Sequence, residues 1–179
     1  LRGKYTMGVG EIKNIADAKE QFDAYDTGIN YADLYLSKVI EDLKKMNLWD
    51  DTAIIISADH GENQGELNVW GDHQTADHIT NRVPLIIRWP GITDSNKGNT
   101  VENKFYNLDL TSTISQIVSS TQPDRWDGIN FSDNLKDNNS KNGRDYLVIS
   151  HGAWSCQRSV RWDNWLLIRT YDTGLKDFP

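Results

Sequence analysis

The sequence predicts an α/β fold, with helices packed on a mostly parallel sheet and a small antiparallel unit near the end of the chain. Three observations predict it. An amphipathic helix pattern runs from Glu20 to Met46 and passes through a tight connection into a short β-branched strand, Thr52–Ser57. A second buried-type strand, Val83–Trp89, built on the apolar run Val83–Ile87, follows one polar segment later. Finally, Arg158–Trp162 and Trp165–Thr170 flank Asp163-Asn164 and read as a hairpin with a two-residue turn.

The helix is predicted from Phe22, Tyr25, Ile29, Ala32, Leu36, Val39, Ile40 and Leu43, which recur at intervals of three and four. Lys38, Glu41, Asp42 and Lys45 take the opposite side. Gly28 interrupts the stripe, which suggests a close packing partner there. Asn47 suits a left-handed stop. The strand after it is rich in β-branched residues and reads as buried on both faces. It ends abruptly at Ala58-Asp59-His60-Gly61-Glu62, and ligands of open α/β sheets sit beyond such ends.

Residues 61–82 read as a long polar loop, a length that usually carries function or disorder. Pro84 is tolerable near the start of the second strand, and Pro90-Gly91 stops it. Asp109 is placed to cap a helix running to about Ser119. Residues 121–145, rich in Asn, Asp, Ser and Gly, read as a linker. Tyr146–Ile149 is a further strand.

Composition excludes several classes. The chain has 179 residues and a net charge of −7, with 19 Lys and Arg and no basic run longer than Lys44-Lys45. A nucleic-acid surface needs a basic patch, so none is expected. No apolar run approaches the ~18 residues that span a bilayer. Seven Trp and seven Tyr argue against disorder. A compact domain of this mass exposes roughly 9,000 Å², so one ordinary core is expected. The single cysteine, Cys156, excludes an internal disulfide and a CxxC zinc site.

Asp59 and His60 are candidate ligands for one divalent metal, with Gly61 permitting the bend that turns both toward the loop side. The plainer alternative is a polar strand end. His73 and His78, each preceded by Asp, lie five residues apart and not on one helical face. A cation or oxyanion role competes there with ordinary solvated histidines, and Asp72 or Asp77 could orient its neighbour. Cys156, with Arg158 nearby, reads as a small structural thiol. Trp154, Trp162 and Trp165 read as packing on the small sheet, or as an exposed rim able to stack on sugar rings.

Taken in order, Tyr25-Asp26-x-Gly28-Ile29-x-Tyr31-x-Asp33, Leu48-x-Asp50-Asp51-Thr52, Ser57–Glu62 and Arg82–Gly91 resemble the C-terminal half of a sulfatase of the alkaline phosphatase superfamily. Leu108–Thr113 looks like that family's next helix start, and Val160–Trp162 with Trp165–Ile168 looks like a strand pair of its small terminal sheet. The resemblance implies residues 1–130 as part of the α/β core and residues 131–179 as the start of the antiparallel subdomain. It implies metal-dependent hydrolysis of sulfate esters, with a formylglycine nucleophile and a divalent cation, calcium in most members.

By position, Asp59 and His60 match the later pair of metal ligands. His73 falls where many members place a sulfate-contacting lysine, which implies a catalytic and substrate-binding role. His78 is a further substrate-facing position. A phosphodiesterase or phosphonate monoester hydrolase of the same superfamily, or a non-catalytic relative, is the alternative.

The family's C/S-x-P-x-R motif does not occur in these residues, and Cys156 does not match it. The expectation is therefore a piece of a longer polypeptide, partnered by the rest of that polypeptide and inactive alone. The implied substrate is a small-molecule or carbohydrate sulfate ester, and the implied location is periplasmic or secreted.

Overall fold

A computed structural model describes residues 12–152 and 156–171. The first helix, α1, spans Ile15–Lys45. It begins five residues before the apolar stripe predicts, because Asn14 and Asp17 form a reciprocal capping box. The Asn14 side chain accepts from the amides of Ala16 and Asp17, while Asp17 accepts from the Asn14 amide. Lys44 and Lys45 sit at the negative end of the helix dipole, and Asn47 takes φ 56° as expected.

Strand β1 (Ile54–Ser57) pairs antiparallel with β4 (Leu85–Arg88), in register from Ile54 with Arg88 to Ser57 with Leu85. All strand pairings among the described residues are antiparallel. The pair is only half-buried, with Leu85 and Ile86 exposed, where the β-branched pattern predicts burial on both faces. Arg88 pins the entry to β1: its guanidinium donates to the carbonyls of Trp49 and Thr52 and stacks over the Trp49 ring at 3.9 Å.

Residues 61–82 are more ordered than the loop their polarity suggests. They hold β2 (Asn63–Gln64), β3 (Trp70–Asp72) and a single helical turn, α2 (His78–Asn81). The organising group is Asp77. One carboxylate oxygen accepts from the amides of Ile79 and Thr80, which caps α2. The other accepts from Asn63 Nδ2 and from the hydroxyls of Thr75 and Thr80. Polar residues that satisfy one another build structure here, and hydrophobic periodicity has no signal for that.

Helix α3 spans Asn107–Ser119 and starts two residues before Asp109. Asp109 is therefore not the cap but the third helical residue. It is fully buried, accepting from the amides of Tyr106 and Ile129 and bidentately from Arg144. The expected linker is likewise part of the packed interior. It contains α4 (Ser132–Lys136), and Phe131 stacks on Phe105 at 4.4 Å and donates its amide to Thr113. Asn134, fully buried, donates to the carbonyls of Ser140 and Asn142 and ties the following loop down. The remaining sheet is a meander of β5 (Tyr146–His151), β6 (Gln157–Trp162) and β7 (Trp165–Thr170), with the two-residue turn predicted at Asp163-Asn164.

The core is smaller than a domain of this length should own. Among the described residues only Ala76, Phe131 and Leu135 are buried apolar residues, and the chain exposes 13096 Å². No residue of α1 is buried, and Ile29 and Val39 are each 55 % exposed. The stripe is genuine but lacks a covering layer among the described residues. Gly28 has open space where a Cβ would stand, so no close partner explains it.

Candidate active site

The end of β1 carries the first two candidates. Asp59 lies on the surface with its side chain 88 % exposed, and its Oδ1 accepts from the His60 amide at 3.0 Å. Hydrogen bonds from the His60 and Asp59 amides, aided by the nearby imidazoles of His60 and His73, hold its carboxyl below the ordinary range. His60 Nδ1 lies 2.9 Å from the Gly61 carbonyl. A carbonyl only accepts, so Nδ1 carries a proton, and in the neutral imidazole the lone pair is on Nε2. That Nε2 stands 3.7 Å from Asp59 Oδ2. A carboxylate oxygen and an imidazole nitrogen thus converge, and with the imidazole neutral both can ligate one cation.

Gly61 is required by the fold here, because a Cβ would run into the Ile79 carbonyl oxygen. Its amide donates to the Thr80 carbonyl at 2.7 Å, fastening the strand end to α2. Here close approach, not a turn, demands the glycine.

His73, just past β3, stacks on His60 with ring centroids 3.8 Å apart. The β2–β3 ladder makes this contact by bringing the residues before β2 beside those after β3. His73 Nδ1 faces Glu62 Oε1 at 3.6 Å, and that oxygen is buried without a hydrogen-bond partner. One donor atom each of His60, Glu62 and His73 lies within 4.8 Å of the others. Glu62 has no role assigned from the sequence. The signal lies in its spacing, because in extended chain residues two apart share a side, which places Glu62 with His60. Asp72 does not bond the His73 ring; its carboxylate accepts the His73 amide.

His78 does not join this group. It opens α2 and its Nδ1 lies 2.9 Å from Arg161 Nη1 of β6, a contact nothing in the sequence announces. Guanidinium only donates, so His78 accepts at Nδ1 and carries its proton on Nε2. Burial first, then the charges of Arg161 and Arg82, push the imidazole below its ordinary range against the opposing pull of Asp77. Asp59, His60, His78 and Arg161 all line one open cavity of about 1130 Å³.

Cys156 is a free, half-buried thiol with φ 41°. Trp162 and Trp165 are 38 % and 68 % exposed, a rim rather than a packed layer, and Trp154 lies outside the described residues. No helix among the described residues is long and apolar enough to cross a membrane.

Comparison with known proteins places these features in a family. A family model described as Sulfatase matches residues 4–120. An ulvan-active sulfatase of Formosa agariphila is 26 % identical over 136 residues, covering 75 % of this chain and 26 % of that protein. A phosphonate monoester hydrolase from Silicibacter pomeroyi superposes with TM-score 0.58 at 26 % identity, covering 80 % of this chain and 33 % of that one. A structure described as a complex with its substrate D-glucosamine-2-N,6-O-disulfate superposes more fully, with TM-score 0.78 over 92 % of this chain and 35 % of that one. At 22 % identity that likeness concerns the fold. The chain thus spans between a quarter and about a third of each of these proteins.

Proposed function

This chain belongs to the sulfatase family, and from that premise we propose that it supplies part of the metal and ester-binding site of an enzyme hydrolysing sulfate esters. The observation that carries the proposal is the convergence of Asp59 Oδ2 and His60 Nε2 at 3.7 Å beyond the end of β1, with the His73 ring stacked on His60. The donors, an ionised carboxylate and a neutral imidazole, suit a divalent cation; family resemblance implies calcium, for which the Asp59 oxygen is the better matched of the two. Two ligands are fewer than calcium requires, so the remainder come from elsewhere in the polypeptide. When bound, the cation supplies charge neutralisation and acidifies the attacking group.

The chain's own residues then have separate tasks. Asp59 and His60 hold the cation. His73, braced between the His60 ring and the Glu62 carboxylate, faces the ester and donates a proton to the leaving oxygen. His78 offers Nε2–H to the substrate from the other side of the cavity. The nucleophile, a formylglycine in this family, is contributed by residues beyond this chain. The substrate class we propose is a sulfated carbohydrate. The Formosa relative is described as ulvan-active, and the exposed Trp162 and Trp165 offer faces on which sugar rings stack. A periplasmic or secreted location follows from the same resemblance.

Likeness to a phosphonate monoester hydrolase favours one second reading, hydrolysis of phosphonate or phosphate esters with the same residues. The test uses the full-length polypeptide with 4-nitrophenyl sulfate and a 4-nitrophenyl phosphonate at equal concentration, before and after chelation. The sulfate is expected to be the faster substrate, with activity lost on chelation and restored by calcium. A faster phosphonate selects the second reading, and chelator-resistant turnover removes the cation from the proposal.

A further inference from the structure

Among the described residues Arg161 is a cation without a carboxylate partner, in an acidic chain. There are 26 Asp and Glu against 19 Lys and Arg. Yet among the described residues no carboxylate lies within ion-pair distance of Arg161 or of Arg82. Arg161 is half-buried, so its guanidinium has lost part of its hydration. It has five N–H donors, and its side chain meets one acceptor, His78 Nδ1. A neutral imidazole satisfies one hydrogen and neutralises no charge.

The same contact fixes the neighbouring donor. Accepting at Nδ1 leaves His78 with its proton on Nε2, and burial, then the nearby charges of Arg161 and Arg82, oppose a second proton. The wall formed by His78, Arg82 and Arg161 therefore presents N–H donors and positive charge. It lines the cavity that also holds Asp59 and His60. The sheet residue Arg161 reaches this wall across 83 positions of sequence, so the arrangement belongs to the tertiary fold and not to a local motif.

We propose that Arg161, with His78 and Arg82 beside it, forms a subsite for a second sulfate group of a multiply sulfated sugar, apart from the ester that is cleaved. A planar guanidinium matches two oxyanion oxygens at once, and the anion restores the charge balance that burial has disturbed. The inference rests on the sulfate-ester reading above and adds the number of charges its substrate carries.

The experiment is calorimetric titration of the full-length polypeptide with glucosamine 6-O-sulfate and with glucosamine 2-N,6-O-disulfate, with sulfate release followed in parallel. The disulfate is expected to bind about tenfold more tightly or better, a charge-assisted contact converted to affinity. In Arg161→Gln that ratio falls to about one, and Arg161→Lys retains part of it. Raising salt narrows the wild-type ratio, a measurement that does not depend on any variant folding. A wild-type ratio below about two, or one unchanged in Arg161→Gln, overturns the proposal. If the ratio holds while neither sugar is hydrolysed, the subsite stands and the sulfate-ester reading fails. If hydrolysis proceeds with equal affinities, the reverse is true.

Discussion

Asp59 and Asp109 are two aspartates whose carboxyls are both held below the ordinary range, for opposite structural reasons. Asp59 stands in solvent, and its Oδ2 faces His60 Nε2 at 3.7 Å. Asp109 is fully buried: burial alone would raise its carboxyl, but donation from Arg144 and from the Ile129 and Tyr106 amides outweighs it. A depressed carboxyl is thus no marker of function by itself. What distinguishes the two is spare capacity, since Asp109 is saturated by four donor atoms and Asp59 keeps an oxygen for a ligand. Asp77 belongs with Asp109, because its oxygens are consumed by the α2 cap and the Asn63–Thr75–Thr80 network.

The comparison breaks most easily at Asp59. In the full-length polypeptide, Asp59→Asn is expected to lower turnover of an aryl sulfate by about a thousandfold and to reduce bound metal, while the urea midpoint stays put. Retained activity would take Asp59 out of the metal site. Asp109→Ala is expected to do the opposite. It strands Arg144, whose side chain is 24 % exposed, and costs about 3 kcal/mol, at the low end for a broken buried pair. Urea unfolding measures this, and a loss under about 1 kcal/mol would show that the pair contributes little.

His73→Ala is expected to slow turnover about a hundredfold with metal content intact, as for a lost general acid. Metal loss measured by elemental analysis would instead make His73 a ligand, as the His60–Glu62–His73 grouping allows. Asp77→Ala should cost about 2 kcal/mol through the lost cap of α2 and the stranded Asn63 amide.

The smallest effect is a matter of pH. A carboxyl depressed in the folded state adds stability that is complete above its unfolded value, about 3.9, and is lost as pH falls through the folded one. The denaturation midpoint should therefore drop as pH falls below about 4, and in Asp109→Asn the drop should be shallower. Equal slopes would mean that Asp109 titrates alike folded and unfolded.

Much of this was legible beforehand. The α1 periodicity, the β-branched run at Ile54–Ile56 and the Asp163-Asn164 turn are local signals, and each element formed near its expected place. Asp59 and His60 were legible as a polar pair closing a β-branched strand, and both stand just past the end of β1. Residues 61–82 and 121–145 were misread as loop and linker for one shared reason. Their order comes from side-chain hydrogen bonds around Asp77 and Asn134, and polar composition looks the same whether such bonds close or not.

What the sequence determined by itself was the run of elements, the acidic balance, and the Asp59–His60 pair at a strand end, because propensity and periodicity act over a few residues. The tertiary structure alone decided that His73 lies against His60, that Glu62 stands behind it, and that Arg161 reaches His78 from a distant strand. Those contacts depend on ladder register and on which buried donors find acceptors. Such facts are set by packing between segments and leave no trace in spacing along the chain.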